Sequence, residues 1–474
     1  MIKAEVEVKS PKAMALILML GAFIGLFGET ALNMGLTNVM EDYHISAPLA
    51  QWLTTGYLLV LAILVPISAY LTRWFTTRQL VLGGFIISLI GTLFAAYSPI
   101  FAILMIGRLI QAVGTGIILP VMMTVMLTIF PINKRGIVMG IMGLVITLAP
   151  AIGPTLSGII ISTLSWHFIF WFSALFYIVL SIFAYVKISN VSEITKPKID
   201  FISIILSTIG FAGLIYALST MAEVSIISPV VWLPLIIAII ALILFCMRQL
   251  KMKEPMLNLS VFKHPMFTLG VIMIFLLMLV ILSTAILLPI YLKGSLLLSA
   301  ALAGLALLPG NATNFVLSPV IGTMFDKYGA RYFGIAGFLL ILISSIGFTI
   351  VLSSSTPVWV IICLFIVLFL GVTMVMMPAQ TNGLNQLPPN LYADGSAAMN
   401  TLMQVAGSAG TALAITLYTI GQQQVTGSSS DLNGREIIAH AVQFVFYFIS
   451  TVAALGLITS LFVKSKHKKK PATS

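Results

Sequence analysis

Two charged side chains lie deep inside long apolar runs, and they are the residues best able to do chemistry. Glu29 sits in the run from Met14 to Met40, as Gly28-Glu29-Thr30-Ala31-Leu32-Asn33, and Arg108 sits in a second run. A carboxylate in hydrocarbon is expensive, so an intramembrane acid is rarely idle. The chain avoids the cost by protonating Glu29, by pairing it, or by facing it to a wet cavity. Each route makes Glu29 a candidate carrier of a proton or cation. A nearby cation favours the ionised carboxylate, and a dry surrounding favours the neutral acid. The pair therefore supports two readings: a proton switch, or a static ion pair that locks two helices.

The spacing around these charges is helical. Glu29, Asn33 and Thr37 recur every four residues and share one face. Arg108, Gln111 and Thr115 do the same at i, i+3 and i+7. At about 1.5 Å per residue, Glu29 lies ~24 Å and Arg108 ~27 Å from the same membrane face, so they share a level. A second polar stripe, Ser396, Asn400, Gln404 and Ser408, runs beside Met399 and Met403, and Asn311 and Asn314 follow the Pro309-Gly310 break. Polar groups beside adaptable methionines suit varied amphipathic ligands. Hydrogen bonding between helices is the plainer reading of the same stripe.

The elements that position these groups must be membrane helices. The chain has 474 residues, 60% hydrophobic and 8% charged, with a mean hydropathy of +1.13. A soluble domain carries about 25% charged residues. Apolar spans recur from end to end, which makes this an all-α polytopic membrane protein. The alternating ten-residue segments of a closed barrel are missing. Spans fall at 13–38, 48–71, 79–98, 100–126, 136–162, 167–187, 201–221, 229–248, 267–292, 301–323, 331–352, 357–378, 396–421 and 438–463. The predicted organisation is a cytoplasmic tail (1–12), a six-helix bundle (13–187), a linker (188–200), an inserted helix pair (201–248) and a second linker (249–266). A second six-helix bundle (267–463) and a basic tail (464–474) complete it.

The net charge of +11 is not a nucleic-acid signature. Every Lys and Arg except Arg108, Lys293 and Arg435 falls on one side of this layout. That is the positive-inside pattern, and it predicts both termini to be cytoplasmic. Cys246 and Cys363 lie within spans, so neither a disulfide nor a cysteine metal site is expected. No G-x-x-x-x-G-K-[ST] loop occurs and the five histidines show no ligand pairing, which argues against a nucleotide site, a metal or an enzyme.

The chain also repeats itself. Pro66-Ile-Ser-Ala-Tyr-Leu-Thr-Arg-Trp-Phe-Thr-Thr-Arg78 lines up without a gap on Pro319-Val-Ile-Gly-Thr-Met-Phe-Asp-Lys-Tyr-Gly-Ala-Arg331, and Glu29-Thr30-Ala31-Leu32 meets Ser283-Thr284-Ala285-Ile286. Two six-helix halves around a central site are a recurrent transporter design. Ser283 stands where Glu29 stands, so the buried charge belongs to the first half alone.

Five stretches carry a family likeness. They are Glu29-Thr30-Ala31-Leu32-Asn33; Gln51-Trp52-Leu53-Thr54-Thr55-Gly56-Tyr57; Arg108 to Gly116 with Pro120; Ala149-Pro150-Ala-Ile-Gly153-Pro154-Thr-Leu-Ser157-Gly158; and Gly322-Thr-Met-Phe-Asp326-Lys-Tyr-Gly329-Ala-Arg331. Together they resemble the major facilitator superfamily and, within it, the fourteen-helix drug:proton antiporters of the lincomycin-resistance type. The resemblance implies alternating access driven by the proton gradient, with no cofactor. It implies small amphipathic substrates and a monomer in the bacterial cell membrane, in contact with lipid. Glu29 and Arg108 would couple protons. Asn33, Gln51, Thr55, Gln111, Asn311, Asn314, Asn400, Met403 and Gln404 would line the cavity. Pro150, Gly153, Pro154 and Gly158 would form the antiporter motif, a hinge or seal. Arg73, Arg78, Asp326, Gly329 and Arg331 would form gate loops, although Arg73 replaces the usual acid there and Thr76 the usual glycine. A dedicated carrier of one metabolite or lipid-like molecule is the alternative. A receptor would need a signalling domain, and a channel a ring of charges.

Overall fold

Apolar side chains on every face leave the helix as the only way for each segment to satisfy its own backbone in lipid. The computed structural model describes residues 10–131, 134–192, 194–196, 200–221, 228–428 and 433–464. Its helices are α1 (Pro11–Ala31), α2 (Leu36–Tyr43), α3 (Ala47–Trp74), α4 (Thr77–Ala96), α5 (Phe101–Ile129), α6 (Arg135–Thr163), α7 (His167–Lys187), α8 (Phe201–Met221), α9 (Pro229–Lys251), α10 (Pro265–Gly294), α11 (Ala300–Tyr328), α12 (Ala330–Val351), α13 (Val358–Asn385), α14 (Tyr392–Ser428) and α15 (Gly434–Leu461). Among the described residues, 12 helices are long and apolar enough to cross a membrane. The helices α6 and α14 are not among those twelve, so length and composition establish a multi-pass protein and not the predicted fourteen spans.

The first predicted span is not one helix. It stops at Ala31, tightens into a 3₁₀ turn at Leu32–Gly35 and resumes as α2. A 3₁₀ turn holds about 3.0 residues instead of 3.6. The regular helix expected to carry Glu29, Asn33 and Thr37 is therefore interrupted in its backbone, and the side chains of Asn33 and Thr37 lie outside the described residues. Helix α2 bends over the neighbouring helix ends. Asp42 accepts from Trp166 Nε1 at 2.7 Å, and the Tyr43 hydroxyl donates to the Ser98 carbonyl at 2.7 Å. Trp166 is buried against Leu32, Val39 and Phe170.

The chain packs as two units. The first holds Met1–Pro131, Leu144–Val261 and Pro388–Ala409, and the second holds Ile132–Gly143, Phe262–Leu387 and Gly410–Ser474. Within the first, α1 packs on α5 and α7, α3 on α5, and α4 on α5 and α7. Within the second, α10 packs on α13 and α15, α11 on α13, and α12 on α13 and α15. The pairing scheme is the same once α1, α3, α4, α5 and α7 are read as α10, α11, α12, α13 and α15. The sequence repeat is thus a repeat of packing. The inserted pair α8 and α9 pack on each other, and α8 lies along α3 in the first unit.

Helices α6 and α14 each belong to both units. The start of α6 is held in the second unit by Arg135, which donates to Asn385 at 2.8 Å, and by Ser318, whose hydroxyl donates to the Gly140 carbonyl at 2.6 Å. The start of α14 is held in the first. The boundary drawn from sequence at 187 and 267 follows the chain; the packed units cross it at these two helix starts.

Candidate functional site

Arg108 enters the first unit on α5 with no exposed surface. Its Nη1 donates to the Gly28 carbonyl at 2.8 Å and to Gln111 Oε1 at 2.9 Å. The guanidinium stacks over the Tyr57 ring, 4.5 Å from its centroid. A desolvated contact of this kind contributes about 2 kcal/mol. Its Nε and Nη2 meet no partner among the described residues, a costly arrangement for buried donors. Gln111 passes the chain of bonds on, from Nε2 to Thr92 Oγ1 at 3.1 Å. Tyr57 braces the other side, donating to the Gly25 carbonyl at 3.0 Å and lying 2.7 Å from Thr115 Oγ1. Helices α1, α3, α4 and α5 therefore meet on one buried polar network.

Glu29 is half-buried beside that network, one residue beyond the carbonyl that Arg108 holds. The two charges lie at one level, as the depth estimate requires. Among the described residues no ion pair joins them; the guanidinium takes the Gly28 carbonyl instead. This is not a locked salt bridge.

Helix α6 reaches this site through Gly153. A Cβ there would lie 2.3 Å from Thr30 Oγ1, so only glycine lets α6 approach α1 beside Glu29. Gly158 lacks that constraint, since its nearest neighbour would be Met34 Cε at 3.9 Å. The side chains of Pro150 and Pro154 lie outside the described residues.

Comparison with known proteins now decides the family. The Major Facilitator Superfamily matches residues 18–411. The lincomycin resistance protein LmrB of Listeria innocua is 51% identical over 449 residues, spanning 94% of this chain and 95% of that protein. LmrB of Bacillus subtilis is 50% identical over 453 residues, 94% of each. The human organic anion transporter MFSD10 shares the fold, with a TM-score of 0.67 at 14% identity, over 95% of this chain and 99% of its own. The chain belongs to the major facilitator superfamily. It is a multi-pass transporter of the drug-efflux type, not an enzyme.

The superfamily repeat is chemically one-sided in this member. At the position matching Glu29, Ser283 is buried and donates to the Gly410 carbonyl at 2.9 Å. The predicted cavity residues divide between the units. Asn311 is half-buried and Asn314 buried in the second, where Asn314 accepts from Thr373 at 3.1 Å. Asn400 and Met403 are buried and Gln404 half-buried in the first, where Asn400 donates to the Ser396 carbonyl at 2.8 Å and lies 3.4 Å from Met123 Sδ. Thr55 is half-buried on α3, and the side chain of Gln51 lies outside the described residues.

The gate loops repeat in sequence but not in backbone. Between α11 and α12, Gly329 adopts φ 81°, a conformation other residues resist. The matching Thr76 sits at φ −65° and caps α4 with a reciprocal bond to Gln79. Replacing the glycine is therefore no defect, because this loop turns by a capping box. Arg78 is exposed and covers the Tyr185 ring at 4.5 Å. Arg331 is exposed, and the Asp326 side chain lies outside the described residues. Arg73 binds Asp394 with both carboxylate oxygens, at 2.6 and 2.7 Å.

Three participants escaped the sequence reading. Tyr57 was visible in its motif but had no assigned role. Thr92 reads as an ordinary helix threonine until Gln111 is placed against it. Asp394 fell just outside a span begun at residue 396.

Proposed function

We propose that this transporter exports small amphipathic drugs in exchange for protons, by alternating access across a bacterial cell membrane. The observation that carries the reading is a fully buried guanidinium fixed on the Gly28 carbonyl, with a half-buried carboxyl group next along the chain and unpaired to it. Arg108 supplies a fixed positive field. Ionised Glu29 is favoured by that field and by water, and neutral Glu29 by a dry surrounding. Ionised Glu29 offers an amphipathic drug a polar, negatively charged partner that the protonated acid withdraws, so drug and proton compete for Glu29 as the site changes face. An inward proton crossing 100 mV supplies ~2.3 kcal/mol for export. No cofactor is required.

Fourteen spans with both termini cytoplasmic fit this reading. Helices α6, of 29 residues, and α14, of 37, exceed the ~20 residues a bilayer needs. The arginine and lysine distribution supports the orientation. We take the working unit to be a monomer. Efflux of drugs rests on the LmrB relatives, and the substrate range extends to this chain by that likeness.

Proteoliposomes with an imposed pH gradient test the coupling. Glu29→Gln is expected to abolish gradient-driven drug accumulation while drug binding persists. Undiminished gradient-driven transport in that variant would remove Glu29 from the mechanism. A panel of unrelated drugs tests the range: resistance to a single compound would mark a dedicated carrier.

A further inference from the structure

Asp394 is a fully buried carboxylate that the transport site does not use. Its partners are unusual in where they come from. Arg73, at the end of α3, donates Nη2 to both of its oxygens and Nη1 to the Pro255 carbonyl at 3.0 Å. The Asn258 backbone N–H donates to Asp394 Oδ1 at 2.9 Å. Pro255 and Asn258 belong to the linker that leaves the inserted pair. The linker that enters the pair docks on the same arginine, since the N–H groups of Thr195 and Lys196 donate to the Arg73 carbonyl at 3.0 and 3.2 Å. Gln249 of α9 ties the strap to its helix, accepting from the Leu257 N–H at 3.2 Å and donating to Ser203 of α8.

Both leads of the inserted pair thus converge on the residue that binds the first turn of α14. That helix cannot be indifferent to this grip. Residues 388–409 pack in the first unit and the rest of the helix in the second. Rocking of one half against the other, the movement expected of this design, pulls on the shared helix.

We propose that Arg73 and Asp394 form a reversible clamp and that the linkers of the inserted helix pair are its strap, so that the pair sets how readily the first turn of α14 releases. The proposal rests on the alternating-access reading. Arg73 and Asp394 are positioning residues here, since neither touches the Glu29 site. The strap also fixes the polarity of the clamp. A carbonyl, from Pro255, faces position 73 and suits only a donor. An N–H, from Asn258, faces position 394 and suits only an acceptor. A free-standing ion pair would have no such preference.

Two experiments test this. In protein carrying Cys246→Ala and Cys363→Ala, Arg73→Cys and Asp394→Cys are joined by a bifunctional, reducible thiol reagent long enough to replace the lost side chains. Drug counterflow should stop on cross-linking and return on reduction, with equilibrium drug binding retained throughout. Counterflow that continues through the cross-link would overturn the clamp. The second experiment exchanges the charges. Arg73→Asp and Asp394→Arg alone should each lower counterflow about tenfold or more, as a buried charge left unpaired is costly. The double exchange should stay well below wild type, while Arg73→Lys keeps a larger share of activity. Full recovery in the double exchange would overturn the strap's part. A cysteine-free parent that neither binds nor moves drug would instead sink the transport reading beneath, and the clamp with it.

Discussion

A buried guanidinium needs five acceptors or their equivalent, and Arg108 finds two oxygens and a ring face. Tyr57 is therefore as important as either oxygen. Tyr57→Phe keeps the ring but loses the bonds to Gly25 and Thr115, at a cost of about 1 kcal/mol. Tyr57→Leu also removes the ring face, at about 2 kcal/mol more. The order Tyr above Phe above Leu should appear in thermal denaturation midpoints in detergent. Equal midpoints for Phe and Leu would remove the ring from the account. At this scale the charged residues were legible in the sequence, because cost alone singles out Glu29 and Arg108. Their partners were not. Gly28 contributes a carbonyl that every residue has, and Tyr57 contributes an aromatic face that reads as ordinary core.

Helices in lipid are recognised by apolar length, and that is why α7 and α8 ended where the sequence placed them. Length could not show the break at Leu32–Gly35, where the run stays apolar but the backbone tightens. It also could not place Asp394, because a charge at a helix start looks like a loop residue. Contact between helices is the second element-scale matter. Gly153→Ala should drive α6 and α1 apart and destabilise by about 1–3 kcal/mol, the usual cost of overpacking. Thr30→Ala should relieve it by removing the atom at 2.3 Å, and Gly158→Ala should be tolerated. Gradient-driven transport and denaturation midpoints for Gly153→Ala, for Gly153→Ala combined with Thr30→Ala, and for Gly158→Ala check this; a harmless Gly153→Ala would contradict the packing.

The joint of the inserted pair gives a pH prediction. Arg248 of α9 hydrogen-bonds Asp200, just before α8, at 2.7 and 2.9 Å. That bond, aided by the Ser203 hydroxyl and the Ile202 N–H, holds the Asp200 carboxyl down to about 2. A carboxyl whose folded value is lowered stabilises the joint at every pH above its free value of about 4. The contribution fades only between about pH 4 and pH 2. Protease cleavage of the linker following α9 should therefore be constant from neutral pH down to about pH 5. Increased cleavage near neutral pH would show that another group governs the joint.

At the scale of the whole molecule, the repeat explains both the fold and its asymmetry. The same helix pairings recur in the two units, so twofold ancestry of the packing was legible from Pro66–Arg78 and Pro319–Arg331 alone. What the repeat hides is the exchange of helix starts. Arg73 and Asp394 are 321 residues apart, and no spacing rule reaches that far. At the matched positions the halves differ, with Glu29 and Arg108 in the first and the hydrogen-bonded Ser283 in place of Glu29 in the second. A single carboxyl group predicts a single exchanged proton per drug. The most direct test needs no membrane: proton release from purified protein in weakly buffered detergent, followed with a pH-sensitive dye as drug is added near neutral pH. Wild type should release protons in step with drug binding, and Glu29→Gln should bind drug and release none. Equal release from both proteins would contradict the claim that Glu29 trades its proton for the drug.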